Sequence, residues 1–371
     1  MTLDRLILTN FKNYAEADVD LCGGINCFVG NNGAGKTNLL DAVYYLSFCK
    51  SYFNPVDQQN IRFGEEAFAL HGHYGADVAS CIVRRGRGKE MRWNKKSCKT
   101  LAEHIGRLPL VMVSPSDQQL IAGGSDVRRR LVDGILSQTD HSYLDHLLQY
   151  TKALEQRNRL LKQMWDDRLW DDAMVSIWDE QLCHHGEPLF QARRRFVADF
   201  NPLFVEYYHY IASADEPGCI DYQVDDRPLA LQLADCRQAD RFSQYTNAGP
   251  HKDDFHFLLG HSAADGQPLP LKRFGSQGQQ KSFALALKLA QFQYIEQHCG
   301  QKPLLLLDDI FDKLDLERVR HLIALVGSER FGQVLLTDTQ PGRVQAIFDT
   351  MPHLEHRLFD VDHGTVSHAG R

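Results

Sequence analysis

The sequence predicts an α/β fold with a mixed or parallel sheet at its core and a second lobe that is mainly helical. Three observations lead to this prediction. A glycine-rich loop joins a short apolar strand to a helix near the amino terminus. Residues 127–211 carry apolar side chains at spacings of three and four, the period of a helix. In the last hundred or so residues helical and strand-like runs alternate, as they do around parallel sheets.

The first part of the chain should consist of short strands and turns around one helix. Continuous or alternating apolar runs predict strands at Leu3–Leu8, Ile25–Val29, Phe68–Tyr74, Val78–Arg84 and Leu108–Val113. Gly86 and Gly88 follow the fourth of these runs and predict a hairpin turn.

The middle of the chain should be helical at first and then irregular. Thr151 and Asn158 interrupt the heptad pattern of the leucines, which favours a short helical hairpin over a long coiled coil. From Asp215 to Pro270 turn residues and short strand-like runs, such as Asp254–Leu259, replace the helical period. The elements predicted after that are a helix from about Gln279 to Cys299, a strand at Leu304–Leu307, a helix at Leu316–Val326 and a strand at Val334–Leu336.

Composition limits the class of protein. The 371 residues are 43% hydrophobic and 24% charged, which suits a globular protein of two or three compact units. No run approaches the roughly 20 apolar residues of a membrane helix, and the first residues alternate like a strand. We therefore expect a cytoplasmic protein without a membrane partner. Nine scattered cysteines with no C-x-x-C pair predict neither a zinc site nor a disulfide framework.

Residues 30–37 carry the strongest motif. They match G-x-x-x-x-G-K-[ST], follow a predicted strand and open a predicted helix. In such a loop, backbone N–H groups and the helix N-terminus surround phosphates. We predict that Lys36 reaches the terminal phosphates of ATP as a catalytic residue and that the Thr37 hydroxyl is a ligand of Mg²⁺. The predicted ATP-binding residues of the loop are Gly30, Asn31, Asn32, Gly33, Ala34, Gly35, Lys36 and Thr37.

Two carboxylates follow the apolar run Leu304–Leu307. The four leucines suit a strand that is buried on both faces, and α/β sheets bind ligands at the carboxyl ends of their strands. We predict that Asp308 is a catalytic ligand of Mg²⁺ and that Asp309 is the base that orients the attacking water. The alternative is a buried strand followed by a helix-capping aspartate. The P-loop favours the catalytic interpretation, because it supplies the phosphate and metal that such acids need.

A short polar segment precedes the helix predicted from about Gln279. Ser276 and Gln279 have the spacing of a capping box, which would satisfy helix donors without any ligand. The same geometry suits the signature of ABC ATPases, in which a Ser hydroxyl, a Gly N–H and a helix N-terminus bind a γ-phosphate. With a P-loop and a Walker B strand in the chain, we predict that Ser276, Gly278 and Gln279 bind nucleotide.

The place of this segment selects the class. ABC ATPases have an S-x-G-Q helix before the Walker B strand, whereas P-loop kinases and G-proteins do not. The sequence therefore predicts an ABC-type P-loop ATPase head. Its expected division is 1–122 with the P-loop, 123–245 as the helical lobe, and 246–371 with the signature and Walker B strand completing the head.

Ordered segments along nearly the whole chain match the motifs of one known family, with substitutions at some positions. Asp41 stands in place of the usual Glu, and Lys252 in place of Arg. The segments are Leu6–Tyr14, Gly30–Ala42, Leu108–Gly123 with Arg128–Arg130, Lys152–Lys162, Gly249–Asp254, Ser276–Lys281 and Asp308–Asp315, and together they resemble the RecF family. The resemblance implies recombinational DNA repair and replication, ATP-dependent homodimerisation and weak, DNA-stimulated ATP hydrolysis. It also implies binding of single- and double-stranded DNA at gap junctions, and RecA loading with RecR and RecO.

Some positions leave the details of hydrolysis open. Asp309 is a shorter base than the Glu of general ABC ATPases, a departure that RecF proteins share, so slow turnover is expected. Thr337–Thr339 stands where transporters have a switch histidine, and either threonine or Asp338 could sense the γ-phosphate. Gln119 is a candidate for sensing Mg²⁺ and the attacking water; a surface turn residue is the alternative.

Other P-loop proteins fit the sequence less well. A chromosome-organising head would need hundreds of heptad residues, and a transporter motor would need the switch histidine. A small-molecule kinase would leave Ser276–Gln279 and Gly249–Asp254 without a role.

The formal net charge of −7 restricts any DNA contact to a local patch. The densest basic strip is Arg84, Arg85, Arg87, Lys89, Arg92, Lys95, Lys96 and Lys99. The triplets Arg128–Arg130 and Arg193–Arg195 are weaker candidates, for which a solvated surface is the simpler interpretation.

Overall fold

The structure is a computed structural model that describes residues 1–212, 218–261, 266–310, 316–351 and 353–368. The chain divides into two compact units. The first consists of Met1–Ser116 and Ile295–Arg371, and the second of Asp117–Tyr294. The α/β fold class predicted from the sequence is confirmed. The predicted functional boundaries near residues 122 and 245 differ from these units and remain a proposal.

The described strands are β1 Arg5–Phe11, β2 Tyr14–Asp20, β3 Ile25–Val29, β4 Ala67–Tyr74, β5 Asp77–Arg84, β6 Gly88–Trp93, β7 Lys96–Ser97, β8 Leu110–Val113, β9 Gly218–Gln223, β10 Asp254–His261, β11 Pro268–Pro270, β12 Leu304–Leu307, β13 Val334–Asp338, β14 His356–Asp362 and β15 Thr365–His368. The described helices are α1 Lys36–Phe48, α2 Gln118–Ala122, α3 Ser125–Thr139, α4 His141–Asp166, α5 Asp172–Ala212, α6 Leu229–Ser243, α7 Leu271–Phe274, α8 Gln277–Cys299, α9 Leu316–Val326 and α10 Pro341–Asp349.

The first unit contains a mixed sheet that positions the P-loop. Its strand order is β15-β14-β3-β13-β12-β8, and the pairs from β14 to β8 are parallel. Every residue of β3, β12 and β13 is buried, which explains the four leucines of β12 and the mostly apolar sequences of β3 and β13. Because the strands run in parallel, the P-loop after β3 and Asp308 after β12 emerge at the same edge of the sheet.

The first unit also contains an antiparallel sheet of order β2-β1-β4-β5-β6-β7. Strand β4 alternates between buried and partly buried residues along its whole length, as a strand with one face on a core does. Helix α1 packs within the same apolar cluster as strands of both sheets, where Leu39, Leu46, Phe68 and Leu306 are all buried.

The second unit is built around helices α3 to α6 and the sheet β11-β10-β9. Helices α4 and α5 pack against each other and have 26 and 41 residues, so they are longer than the short hairpin that the sequence predicts. Helix α6 is a second difference, because the sequence predicts turns and short strand-like runs from Asp215 to Pro270. Its sequence carries charged and polar residues through most of its turns, and burial of Leu229 and Leu233 fixes it. Within the described residues, no helix is both long and apolar enough to cross a membrane.

Candidate functional site

The P-loop has a backbone shape that depends on glycine. Gly30, Gly33 and Gly35 have φ values of 155°, 80° and 119°, in a region that residues with a side chain rarely adopt. A Cβ atom on Gly30 would lie 2.2 Å from the carbonyl oxygen of Val361, so the loop also needs a glycine there for close packing on β14. Asn31, Asn32 and Gly33 are exposed, whereas Ala34 and Gly35 are buried.

Lys36 curls back over the loop that precedes it. Its ammonium group donates to the carbonyl oxygens of Gly30 at 2.8 Å and Asn31 at 2.9 Å. Lys36 is only 7% exposed, so this charge is held at the loop. The arrangement places a cation beside the backbone where phosphates are expected to bind.

Thr37 meets the predicted Walker B acid. Its hydroxyl donates to Oδ1 of Asp308 at 2.8 Å, across 271 positions of sequence. The Thr337 hydroxyl donates to the same oxygen at 3.0 Å and accepts from the N–H of Asp309 at 2.9 Å. Asp308 is 4% exposed, and its burial raises the pKa of the carboxyl above the usual value, against the hydrogen bonds from Thr37 and Thr337. Oxygen ligands of this kind suit Mg²⁺, so the residues present fit a magnesium-bound nucleotide.

The position of Asp309 follows from an unusual backbone conformation. Its φ is 48°, and its N–H is held by the Thr337 hydroxyl. Asp309 is partly exposed, unlike Asp308. Thr337 therefore bridges the two acids, a role that sequence reasoning missed when it considered this residue as a γ-phosphate sensor. Asp338 binds Arg343 at 2.7 Å. Leu314 and Asp315, which end the Asp308–Asp315 segment that resembles the family, lie outside the described residues.

The signature segment opens helix α8 in the second unit. The N–H of Gln279 donates to the Ser276 hydroxyl at 3.2 Å, and the N–H of Ser276 donates to Oε1 of Gln279 at 2.7 Å. This reciprocal pair is the predicted capping box. Ser276 and Gly278 are exposed, and Gln279 is partly exposed. Gln119 is exposed in α2, and its role in sensing water stays a prediction.

Two arginines of the second unit, Arg157 and Arg193, form buried ion pairs. Arg157 binds Asp179 and Asp240, both at 2.7 Å, which joins α4 to α5 and α6. Arg193 donates to the carbonyl oxygen of Pro250 at 2.7 Å and to Asp253 at 3.1 Å. The Gly249–Asp254 segment is thus anchored to α5. These contacts are structural, and they remove Arg193 from the candidates for binding DNA.

The basic residues differ in whether they form ion pairs with carboxylates. Lys89 points inward and binds Asp57 at 2.7 Å, and Arg92 pairs with Glu90 at 2.9 Å. In the second unit, Arg128 pairs with Asp254 at 2.8 Å. Within the described parts of the chain, the exposed cations of the strip that form no ion pair are Arg87, Lys95, Lys96 and Lys99.

The sheet order and the residues at its edge define the class of protein. One parallel strand, β13, separates the P-loop strand β3 from β12, and the S-x-G-Q segment opens α8. The chain is an ABC-type P-loop ATPase head with a helical lobe. Residues 5–168 match a family described as an AAA domain.

Relatives narrow this class to one family. The DNA replication and repair protein RecF of Phocaeicola vulgatus is 44% identical over 375 residues, which cover 99% of this chain and 98% of the relative. The protein of that name from Flavobacterium johnsoniae is 41% identical over 367 residues, with 97% and 100% covered. The chain belongs to the RecF family.

Solved structures agree with this assignment. The recombination mediator protein RecF-ATP in the RecFOR pathway is 26% identical and superimposes with a TM-score of 0.88, covering 100% of this chain and 98% of that one. An SMC head bound to the C-winged helix domain of ScpA has a TM-score of 0.55 at 15% identity and shares the fold.

Proposed function

We propose that this protein is an ATP-dependent DNA-binding protein of recombinational DNA repair and replication, with weak, DNA-stimulated ATPase activity. The observation that carries the proposal is the hydrogen bond between Thr37 and Asp308 beside the P-loop, because it joins the proposed phosphate-binding loop to the proposed ligand of Mg²⁺. Similarity to RecF-ATP structures supports ATP as the nucleotide.

Each residue of the site has a proposed task. Backbone N–H groups of Gly30–Thr37 hold the phosphates, and Lys36 exchanges its two carbonyl partners for phosphate oxygens. Thr37 and Asp308 hold Mg²⁺, which neutralises charge on the phosphates when it is bound. Asp309 accepts a proton from the attacking water, and Thr337 fixes the backbone of this base. Asp309 has a short side chain, which favours slow hydrolysis.

We further propose that ATP joins two copies of the chain. In ABC ATPases the signature serine contacts the nucleotide held by the other subunit, and Ser276 stands exposed at the start of α8. Gly278 and Gln279 would complete this contact with the γ-phosphate. A site made by two chains closes a symmetric dimer, in which each signature faces the partner's P-loop.

DNA is the proposed macromolecular ligand, with single- and double-stranded forms at gap junctions as the substrate. The exposed cations Lys95 and Lys96 lie at the β6–β7 turn, where they can approach phosphates. Within the pathway named for the solved RecF structures, we propose RecR as the direct partner, with RecO and RecA acting in the same process in the cytoplasm.

The test uses size-exclusion chromatography with light scattering, with and without ATP and a gapped duplex. The parent should dimerise when ATP is added and bind the duplex in that state. Ser276→Arg places a bulky cation where the γ-phosphate would dock and leaves the P-loop intact. We expect this variant to bind ATP normally, to remain monomeric and to lose ATP-dependent DNA binding.

Two controls make this test specific. Ser276→Ala removes the capping hydroxyl without adding bulk, and it should dimerise better than Ser276→Arg. Lys36→Ala should fail earlier, at ATP binding itself. If Ser276→Arg dimerises with ATP as the parent does, Ser276 is only a helix cap and the two-chain site is wrong.

A further inference from the structure

The turn between β1 and β2 contacts the P-loop from outside the motif. The Asn13 side chain donates through Nδ2 to the carbonyl oxygen of Ala34 at 3.0 Å. The Tyr14 hydroxyl donates to the carbonyl oxygen of Gly35 at 3.1 Å. Both contacts cross 21 positions of sequence and bind two consecutive peptide groups of the loop.

These hydrogen bonds determine the direction of two backbone donors. In a planar trans peptide, the carbonyl oxygen and the next N–H point in opposite directions. Holding the Ala34 and Gly35 oxygens therefore turns the N–H groups of Gly35 and Lys36 away from the β1–β2 turn. These are donors that a P-loop presents to phosphates.

The two carbonyl oxygens differ in their other donors. The Gly35 oxygen also accepts from the N–H groups of Asn38 at 3.0 Å and Leu39 at 3.3 Å, both in α1. The Ala34 oxygen precedes the helix, and its other donor is the N–H of Gly364 at 3.1 Å, from the β14–β15 turn. Asn13 and Gly364 thus hold this peptide from two different strand pairs.

The turn is itself rigidly fixed. Lys12 forms an ion pair at 2.6 Å with Asp41, a fully buried carboxylate of α1. Asp41 also accepts from the Ser51 hydroxyl at 2.6 Å. Tyr14 is fully buried, and burial raises the pKa of its hydroxyl, so it stays a protonated donor at physiological pH. Asn13 also accepts from Asn38 at 2.7 Å.

We propose that Asn13 and Tyr14 are positioning residues that aim the N–H groups of Gly35 and Lys36 at the phosphates of the nucleotide. The inference rests on the proposed ATP site and adds two residues outside the P-loop motif to it. They act through the loop and do not touch the reacting atoms. Their contribution is to phosphate binding, which is used equally before and during hydrolysis, so KM should change and kcat should not.

The test compares Tyr14→Phe with Tyr74→Phe. Each change deletes one buried hydroxyl in the same sheet, but the Tyr74 hydroxyl has no hydrogen-bond partner among the described residues. Competition against a fluorescent ATP analogue measures affinity for ATP and for inorganic tripolyphosphate. We expect Tyr14→Phe to weaken both ligands by the same factor, about 3- to 10-fold, which is the range of one net hydrogen bond. KM should rise by that factor, with kcat within twofold.

Asn13→Ala provides the second measurement. It should weaken both ligands at least as much as Tyr14→Phe, because the Ala34 oxygen has fewer other donors. Tyr74→Phe should bind both ligands like the parent. Equal affinities for the parent and both turn variants, or a loss for ATP alone, would overturn the proposal.

A separate control distinguishes this failure from failure of the ATP site. Lys36→Ala in the same assay should abolish binding of both ligands. If Lys36→Ala binds ATP normally, the proposed nucleotide site is wrong; if it does not, unchanged turn variants refute only the positioning role.

Discussion

Replacing Arg157 by Met should destabilise the second unit strongly. Arg157 is fully buried in α4, and its guanidinium binds Asp240, Asp179 and the Thr246 hydroxyl. Met keeps the length of the side chain and a good helix propensity, so the main loss is the charge. Among the described residues, the fully buried Asp240 would then keep only donors from Asn247.

The size of the effect follows from the burial of both partners. Removing one member of a buried ion pair costs about 3–5 kcal/mol, because the remaining charge is uncompensated. With a urea m-value of about 2 kcal/mol per molar, the unfolding midpoint should fall by roughly 2 M. The second unit contains Trp165, Trp170 and Trp178, so tryptophan fluorescence in a urea titration reports mainly on it.

The control is Arg159→Met, two residues along the same helix at an exposed position. It should change the free energy of unfolding by less than about 0.5 kcal/mol. Adding Asp240→Asn to Arg157→Met should recover part of the loss, because it removes the unpaired charge. An Arg157→Met midpoint equal to that of Arg159→Met would refute the view that this motif holds the helical lobe together.

Three further predictions concern other parts of the molecule. Asp309→Asn should reduce ATP turnover at least tenfold and leave ATP affinity unchanged, because Asp308 and the P-loop remain. Steady-state hydrolysis and a nucleotide titration measure the two quantities, and turnover equal to that of the parent would exclude Asp309 as the base. The double variant Lys95→Glu, Lys96→Glu should weaken DNA binding and flatten the dependence of DNA affinity on salt concentration. The control variant Lys152→Glu, Arg159→Glu, which changes two other exposed residues, should keep the parent's salt dependence. The same salt dependence in the parent and both variants would make the strip a solvated surface. Burial lowers the pKa of His104 to about 4 in the folded protein, so below pH 6.5 the unfolded chain binds more protons at this residue than the folded protein does. The free energy of unfolding should therefore be unaffected by His104 above pH 6.5 and should fall by up to about 3 kcal/mol as the pH approaches 4. His104→Gln should show a shallower decline in urea titrations across this range, and an identical decline would contradict the assignment.

The sequence was enough to predict the features that depend on residues close together in the chain. The P-loop residues are contiguous, and β3 before them has the predicted bounds Ile25–Val29. The strand Leu304–Leu307 also has its predicted bounds, because four consecutive leucines are stable only when both faces are buried. The capping box at Ser276 and Gln279 needs only a spacing of three, and it forms as predicted.

Features that depend on contacts between distant residues could be found only in the tertiary structure. Sequence spacing does not reveal that Arg193 is buried against Pro250 and Asp253, so an arginine triplet could be taken for a basic surface. Helix α6 was missed because its polar sequence has a weak helical period, and its stability comes from packing in the second unit.

The nucleotide site shows the same division. The residue types and their order along the chain were enough to predict the loop, its lysine and the two acids. Only the fold brought Thr37 and Thr337 to one oxygen of Asp308, and Asn13 and Tyr14 to the back of the P-loop. These contacts cross 21 to 271 positions of sequence, and a hydrogen bond forms only when the fold sets its donor and acceptor at the right distance and angle.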